Sequence, residues 1–170
     1  MNIQIKTENN LQEAFGGESK ANLRYIMYAE SAEKEGQVQV ARLFRAAASA
    51  EAVHARNHFN AMDGIGSTKD NLMAAVLGEQ EELTEMYPPF IDDAEREGNS
   101  RGLRTFQWAN AVEKIHHRLF MKALECVREN RAPEETVYYV CQFCGNTVEG
   151  KAPEKCPVCG APQSHFQVVD

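Results

Sequence analysis

Glu51-x-x-His54 and Glu113-x-x-His116 are two copies of one motif, set 62 residues apart. On a helix, positions i and i+3 share a face. Each copy can therefore aim one carboxylate oxygen and one imidazole nitrogen at a common point. Glu18, Glu79 and Glu82 lie on two other segments of helical character and bring the carboxylates to five. Taken singly, each glutamate reads as a solvated helix face. Gathered on an apolar stripe they would repel one another, and each would cost several kcal/mol to desolvate. Two cations remove both penalties, and Glu/His donors suit iron or manganese. A repeated Glu-x-x-His with lone glutamates on the other helices is a pattern by which four-helix bundles hold two metal ions.

A second donor set lies near the C-terminus. Cys141-Gln142-Phe143-Cys144-Gly145 is followed after ten residues by Cys156-Pro157-Val158-Cys159-Gly160. Two Cys-x-x-Cys-Gly knuckles make a tetrahedral four-thiolate site. The glycine after each second cysteine lets the backbone turn so that amides point at sulfur. Spacing alone leaves zinc and a single iron both open. A segment of about 34 residues has too little core to fold without such a clip.

The helices that must carry the first set are marked by periodicity. Apolar residues at steps of three and four predict helices over about 11–35, 37–62, 69–97 and 100–129, with Gly36 and Gly98 as C-caps. Asp63-Gly64-Ile65-Gly66-Ser67-Thr68 is a break, and Ser67 or Thr68 can cap the third helix. Pro88 and Pro89 fall inside the third segment and predict a kink or bulge near Tyr87.

These helices repeat. Ala32-Glu33-Lys34-Glu35-Gly36 matches Ala94-Glu95-Arg96-Glu97-Gly98 at the offset of 62, as Tyr25 matches Tyr87 and Phe44 matches Phe106. A duplicated helical hairpin implies a pseudo-twofold bundle. Strict register sets Gln80, not Glu79, opposite Glu18. A π-bulge or the proline kink would absorb the slip. Residues 131–136 are polar and contain Pro133, which reads as a linker between a helical domain over 1–130 and a Cys-rich domain over 137–170. The latter begins with the β-like Val137-Tyr138-Tyr139-Val140. The fold class is mainly α, with short strands and loops at the C-terminus.

A net charge of −7, with 25% charged residues, argues against nucleic acid. No apolar run is long enough to span a bilayer. Met1–Thr7 is too polar for a signal peptide, so a cytoplasmic location with reduced thiols is expected. No glycine-rich nucleotide motif is present, so direct use of NAD(P)H is not expected. Cys126, Phe106, Trp108, Phe120 and Met121 read as core residues. His58, His117 and His165 read as surface or supporting residues.

Together, Gly17-Glu18-x6-Tyr25, Glu51-x-x-His54, Gly78-Glu79-x-x-Glu82-x4-Tyr87-Pro88, Glu113-x-x-His116 and the two cysteine knuckles make the chain resemble the rubrerythrins over essentially its full length. The resemblance implies a ferritin-like four-helix domain with a di-iron centre, then a rubredoxin-like domain with one iron in four thiolates. It implies that Glu51 and Glu113 bridge two irons. Glu18 would hold one of them, with Glu82 and His54 exchanging there, while Glu79 and His116 hold the other. Tyr25 and Tyr87 would hydrogen-bond the carboxylates, and Glu82 could supply protons. The implied activity is reduction of hydrogen peroxide to water in oxidative-stress defence. Electrons from an external reductase or small carrier would pass through the rubredoxin-type iron. Iron oxidation and storage, or electron transfer without peroxidase turnover, are the competing readings.

One geometric expectation concerns assembly. In a ferritin-like bundle the second and third helices run parallel, so the chain must return ~27 Å along the axis and step about 8–10 Å sideways. Residues 63–69 span at most roughly 23–25 Å. A domain-swapped homodimer, in which each hairpin pairs with one from a second chain, is therefore expected.

Overall fold

The computed structural model of the chain describes residues 3–169. Met1, Asn2 and Asp170, the outermost residues of the polar N-terminal stretch and of the expected domains, lie outside the described residues. The helices are α1 (Ile3–Lys34), α2 (Val38–Ala61), α3 (Thr68–Glu81), α4 (Tyr87–Arg96) and α5 (Ser100–Arg128). Three short strands come after them: β1 (Tyr138–Cys141), β2 (Thr147–Glu149) and β3 (Phe166–Val169). The chain divides into two compact units, one ending at Gly66 and one beginning at Ser67.

The first unit is the α1–α2 hairpin. Gly36 has φ +75° and ends α1, as its placement predicts. α1 begins at Ile3, earlier than the expected start near Leu11. Residues 6–10 are exposed and polar, so periodicity does not register them. The seam between α1 and α2 is built from small residues: Ala29, Ala32 and Ala41 are buried, with Phe44 packed against them. Alanine lets two helix backbones approach closely and leaves larger residues outside. Leu23, Met27 and Leu43 remain 59%, 51% and 67% exposed.

The second unit begins with a cap. Ser67 Oγ accepts from Asp70 N–H, and Asp70 returns the bond to the Ser67 N–H. This capping box satisfies two orphan donors. Ser67→Ala is expected to lower unfolding stability by about 1 kcal/mol in chemical denaturation.

The predicted irregularity between α3 and α4 is a π-turn over Glu82–Met86. The Tyr87 N–H reaches the Glu82 carbonyl, five residues back. Pro88 and Pro89 have no N–H to give to the carbonyls four residues before them, which favours the wider turn here. Glu79 and Tyr87 are eight residues apart where Glu18 and Tyr25 are seven. The π-turn takes up this extra residue, so the slip in the repeat resolves as a bulge.

α5 has Val112, Leu124 and Cys126 buried, as expected for Cys126. Met121, expected in the core, is 42% exposed. Trp108 is also not a core residue: it is half-buried. Its ring meets Phe143 edge-on at 5.9 Å. Residues 131–137 carry neither helix nor strand. The strands form one antiparallel sheet of order β2-β1-β3, with Tyr139 opposite Val148 on one side and Val168 on the other. The sheet is seated on α5. Lys122 Nζ donates to Glu149 Oε1 at 2.8 Å, and Phe143 lies between Trp108 and His165. Among the described residues, no helix is long and apolar enough to cross a membrane.

Candidate metal centres

Each hairpin gathers half of the expected Glu/His set. In the first, Glu18, Glu51 and His54 each place a ligand atom within 4.8 Å of the other two, and in the second Glu79, Glu113 and His116 do the same. The helical i, i+3 spacing builds both halves alike. His54 Nδ1 lies 2.9 Å from Glu51 Oε2, and His116 Nδ1 lies 2.9 Å from Glu113 Oε2. Glu79 enters from α3, its Oε2 3.6 Å from His116 Nδ1.

Electrostatics in the second unit call for a positive charge. Burial raises the Glu79 carboxyl above its ordinary value, and Glu113 beside it adds to the rise, only partly opposed by His116. Glu82 stands outside the three-residue cluster, at the start of the π-turn. Burial and then the Glu79 charge raise its carboxyl too. The Tyr87 phenol is raised by burial, then by Glu113, Glu82 and Glu79. Glu79 Oε2 is buried without a hydrogen-bond partner. A buried carboxylate oxygen without a donor costs free energy that a cation would recover. The donor set therefore fits a metal ion. Tyr25 sits among rings, 6.3 Å from Tyr28 and 6.0 Å from Phe44.

The four cysteines also converge. The sulfurs of Cys141, Cys144, Cys156 and Cys159 lie within 4.8 Å of one another. Cys141 and Cys159 are 3.7 Å apart, and Cys144 and Cys156 are 3.6 Å apart. Both knuckles turn through glycines in the left-handed region, Gly145 at φ +81° and Gly160 at φ +80°, where a side chain would be strained. Burial pushes the Cys144 thiol well up. Burial acts the same way on Cys156, but the backbone N–H groups of Cys159 and Val158 outweigh it and bring the thiol down to about 7. Asn146, 1% exposed, donates Nδ2–H to Cys156 Sγ at 3.6 Å. These donors stabilise thiolate, the form that binds metal.

Two residues carry no spacing signal and escape a sequence reading. One is Asn146. The other is Thr147, whose Oγ1 lies 3.0 Å from His116 Nε2. His116, Glu79, Thr147, Leu72, Phe120 and Tyr138 line a cavity of about 460 Å³. His58 and His117 are half-buried and His165 is exposed, none of them in a donor cluster among the described residues.

Residues 9–124 match the family model described as Rubrerythrin, and residues 139–167 match the model of its rubredoxin-like domain. The chain is 37% identical to Rubrerythrin-2 of Clostridium acetobutylicum, over 95% of each chain. It is 38% identical to a rubrerythrin of Porphyromonas gingivalis, covering 95% of this chain and 89% of that one. Among solved structures, the partially reduced state of nigerythrin aligns with a TM-score of 0.58 at 31% identity, covering 96% of this chain and 86% of that one.

Proposed function

The chain belongs to the rubrerythrin family, and from that premise we propose that it is a peroxidase that reduces hydrogen peroxide to water with electrons from an external donor. The observation that carries the proposal is the pairing of a carboxylate–histidine donor set with a four-thiolate set in one compact unit. An iron-storing ferroxidase takes electrons from its substrate and needs no such second centre. An electron carrier without turnover needs no cluster of half-buried carboxylates.

Glu18, Glu51, His54, Glu79, Glu82, Glu113 and His116 would hold two irons, and Cys141, Cys144, Cys156 and Cys159 a third. The bound di-iron centre would supply two electrons and Lewis acidity for breaking the O–O bond. The balance is one peroxide, two electrons and two protons to two waters. Glu82 is the proton source this reading favours, because burial and Glu79 make its carboxyl hold a proton more readily. Tyr25 and Tyr87 would orient the carboxylates by hydrogen bonding. On functional grounds residues 1–130 form the peroxide-reducing part and residues 137–170 the electron-entry part, joined by 131–136.

The assembly proposed is a domain-swapped homodimer in the cytoplasm, each hairpin completing its bundle with one from a second copy. The exposed Leu23, Met27 and Leu43 support it, since a hairpin with so much bare apolar surface needs a further partner. So does the short connection from Ala61 to Thr68.

The test is anaerobic. Fully reduced protein with about three irons per chain, the number the donor sets call for, should consume peroxide at two electrons each and regain its red colour. A protein whose cysteines hold only zinc, or which leaves peroxide untouched, would overturn the reading.

A further inference from the structure

We propose that Thr147 is a positioning residue that fixes the tautomer of His116 and so prepares its Nδ1 to bind metal. The inference rests on reading Glu79, Glu113 and His116 as ligands. A threonine hydroxyl has one hydrogen to give. Thr147 Oγ1 lies 3.1 Å from the Gly145 carbonyl oxygen, which can only accept. With its hydrogen committed there, Oγ1 can only accept from His116 Nε2, 3.0 Å away. Nε2 therefore carries a hydrogen. In neutral imidazole this leaves Nδ1 as a bare lone pair, 2.9 Å from Glu113 Oε2 and 3.6 Å from Glu79 Oε2. A lone pair among carboxylate oxygens is a poor arrangement without a cation and a good one with it.

The partner comes from outside the helices. Thr147 opens β2, 31 residues beyond His116, and Gly145 comes directly after the ligand Cys144. The cysteine knuckle thus sets the direction of the Thr147 hydrogen, and Thr147 sets the imidazole. His54 has no such support. Its side chain is 54% exposed, and among the described residues its ring bonds only Glu51. The two halves of a duplicated site are therefore oriented by different means, one by the C-terminal sheet and one by the helix alone.

Outer hydrogen bonds to a ligating histidine fix its ring and raise its basicity, and losing one costs about 10–100-fold in metal affinity. The test titrates the full-length chain, metal-free in the helices, with Co(II) alone, and tracks its absorption. Thr147→Val keeps the shape and removes the acceptor. It should weaken one of the two helical cobalt sites by at least ~10-fold and leave the other unchanged. Thr147→Ser should restore binding. Lys122→Ala cuts another contact between α5 and the sheet, at the half-exposed Lys122–Glu149 pair, and should leave both affinities unchanged. In the zinc-loaded chain, a slowly exchanging His116 Nε2–H should be visible by NMR in the wild type and lost in Thr147→Val.

Unchanged affinity in Thr147→Val, or equal weakening in Thr147→Ser or Lys122→Ala, would overturn the role given to Thr147. A wild-type chain that takes up no cobalt in its helices would instead overturn the ligand assignment beneath it.

Discussion

Glu79→Gln should make the metal-free protein more stable at neutral pH while abolishing its iron centre. Both effects trace to one carboxylate. Glu79 is half-buried beside Glu113, with one buried oxygen lacking any donor, and its carboxyl is raised above its ordinary value. A carboxyl with a raised folded-state value favours folding below the ordinary range. That contribution disappears as pH climbs through the raised value. The metal-free wild type should therefore melt higher in mild acid than at neutrality. Glutamine keeps the shape, carries no charge and can donate a hydrogen bond. Its melting temperature should exceed that of the wild type at neutral pH, and the gap should close on acidification. Cations reverse the balance, because the wild-type carboxylate then has a partner and the amide is a poor ligand. Losing a ligand outright should cost at least the upper end of an outer-shell loss, ~100-fold or more in iron affinity and in peroxide turnover. A Glu79→Gln protein that retains its iron, or that melts lower than the wild type when metal-free, would contradict this account.

Cys156→Ser should silence the same reaction from the other end without replacing any helical ligand. Cys156 is 3% exposed, accepts from Asn146, and is the cysteine whose thiol is drawn down to about 7. Its thiol is held nearer the thiolate form than those of Cys144 and Cys159, which are both raised. Structural metals contribute ~10–16 kcal/mol in small thiolate domains, more than three short strands supply. The variant should lose its red colour, and residues 137–169 should become sensitive to protease. Peroxide oxidation of a pre-reduced helical centre should survive in a single turnover. Repeated turnover from an external donor should fall by ~100-fold or more, because in the proposed relay each electron would enter through the iron that the variant lacks. Unfolding the sheet also removes Thr147 from His116, so the cobalt weakening expected of Thr147→Val should recur. Full multiple turnover in Cys156→Ser would show that electrons enter elsewhere.

The parts of this site legible in the chain are those fixed by short-range geometry. Glu-x-x-His and Cys-x-x-Cys are set by one helical turn and one tight turn, and the structure closes each as spaced. The bulge near Tyr87 is legible because two prolines lack the N–H groups that an α-helix requires there. Thr147 is not legible, because its role arises only where two segments distant in sequence dock. The early start of α1 escapes for a different reason. A nucleated helix extends cheaply through exposed residues of fair propensity, with no apolar face to mark them. Met121 and Trp108 read as core because they are large and apolar. Yet Met121 stays 42% exposed on α5, and Trp108 is instead taken by Phe143.

The π-turn has an effect on the order in which the site fills. By absorbing one residue it returns the helix to phase at Tyr87, yet it begins at Glu82, an acid with no counterpart in the first hairpin, where Lys20 and Ala21 occupy the matching positions. Two carboxylates gather with His116 and two with His54, and Glu82 adds its charge near the former pair. Ferrous ions added one at a time should not distribute evenly. The first should settle beside His116, where the negative charge is greater and the ring is held, and the second should bind at higher concentration. The doubled architecture would then give two distinguishable irons, one acting as a fixed anchor and the other as the more easily exchanged ion.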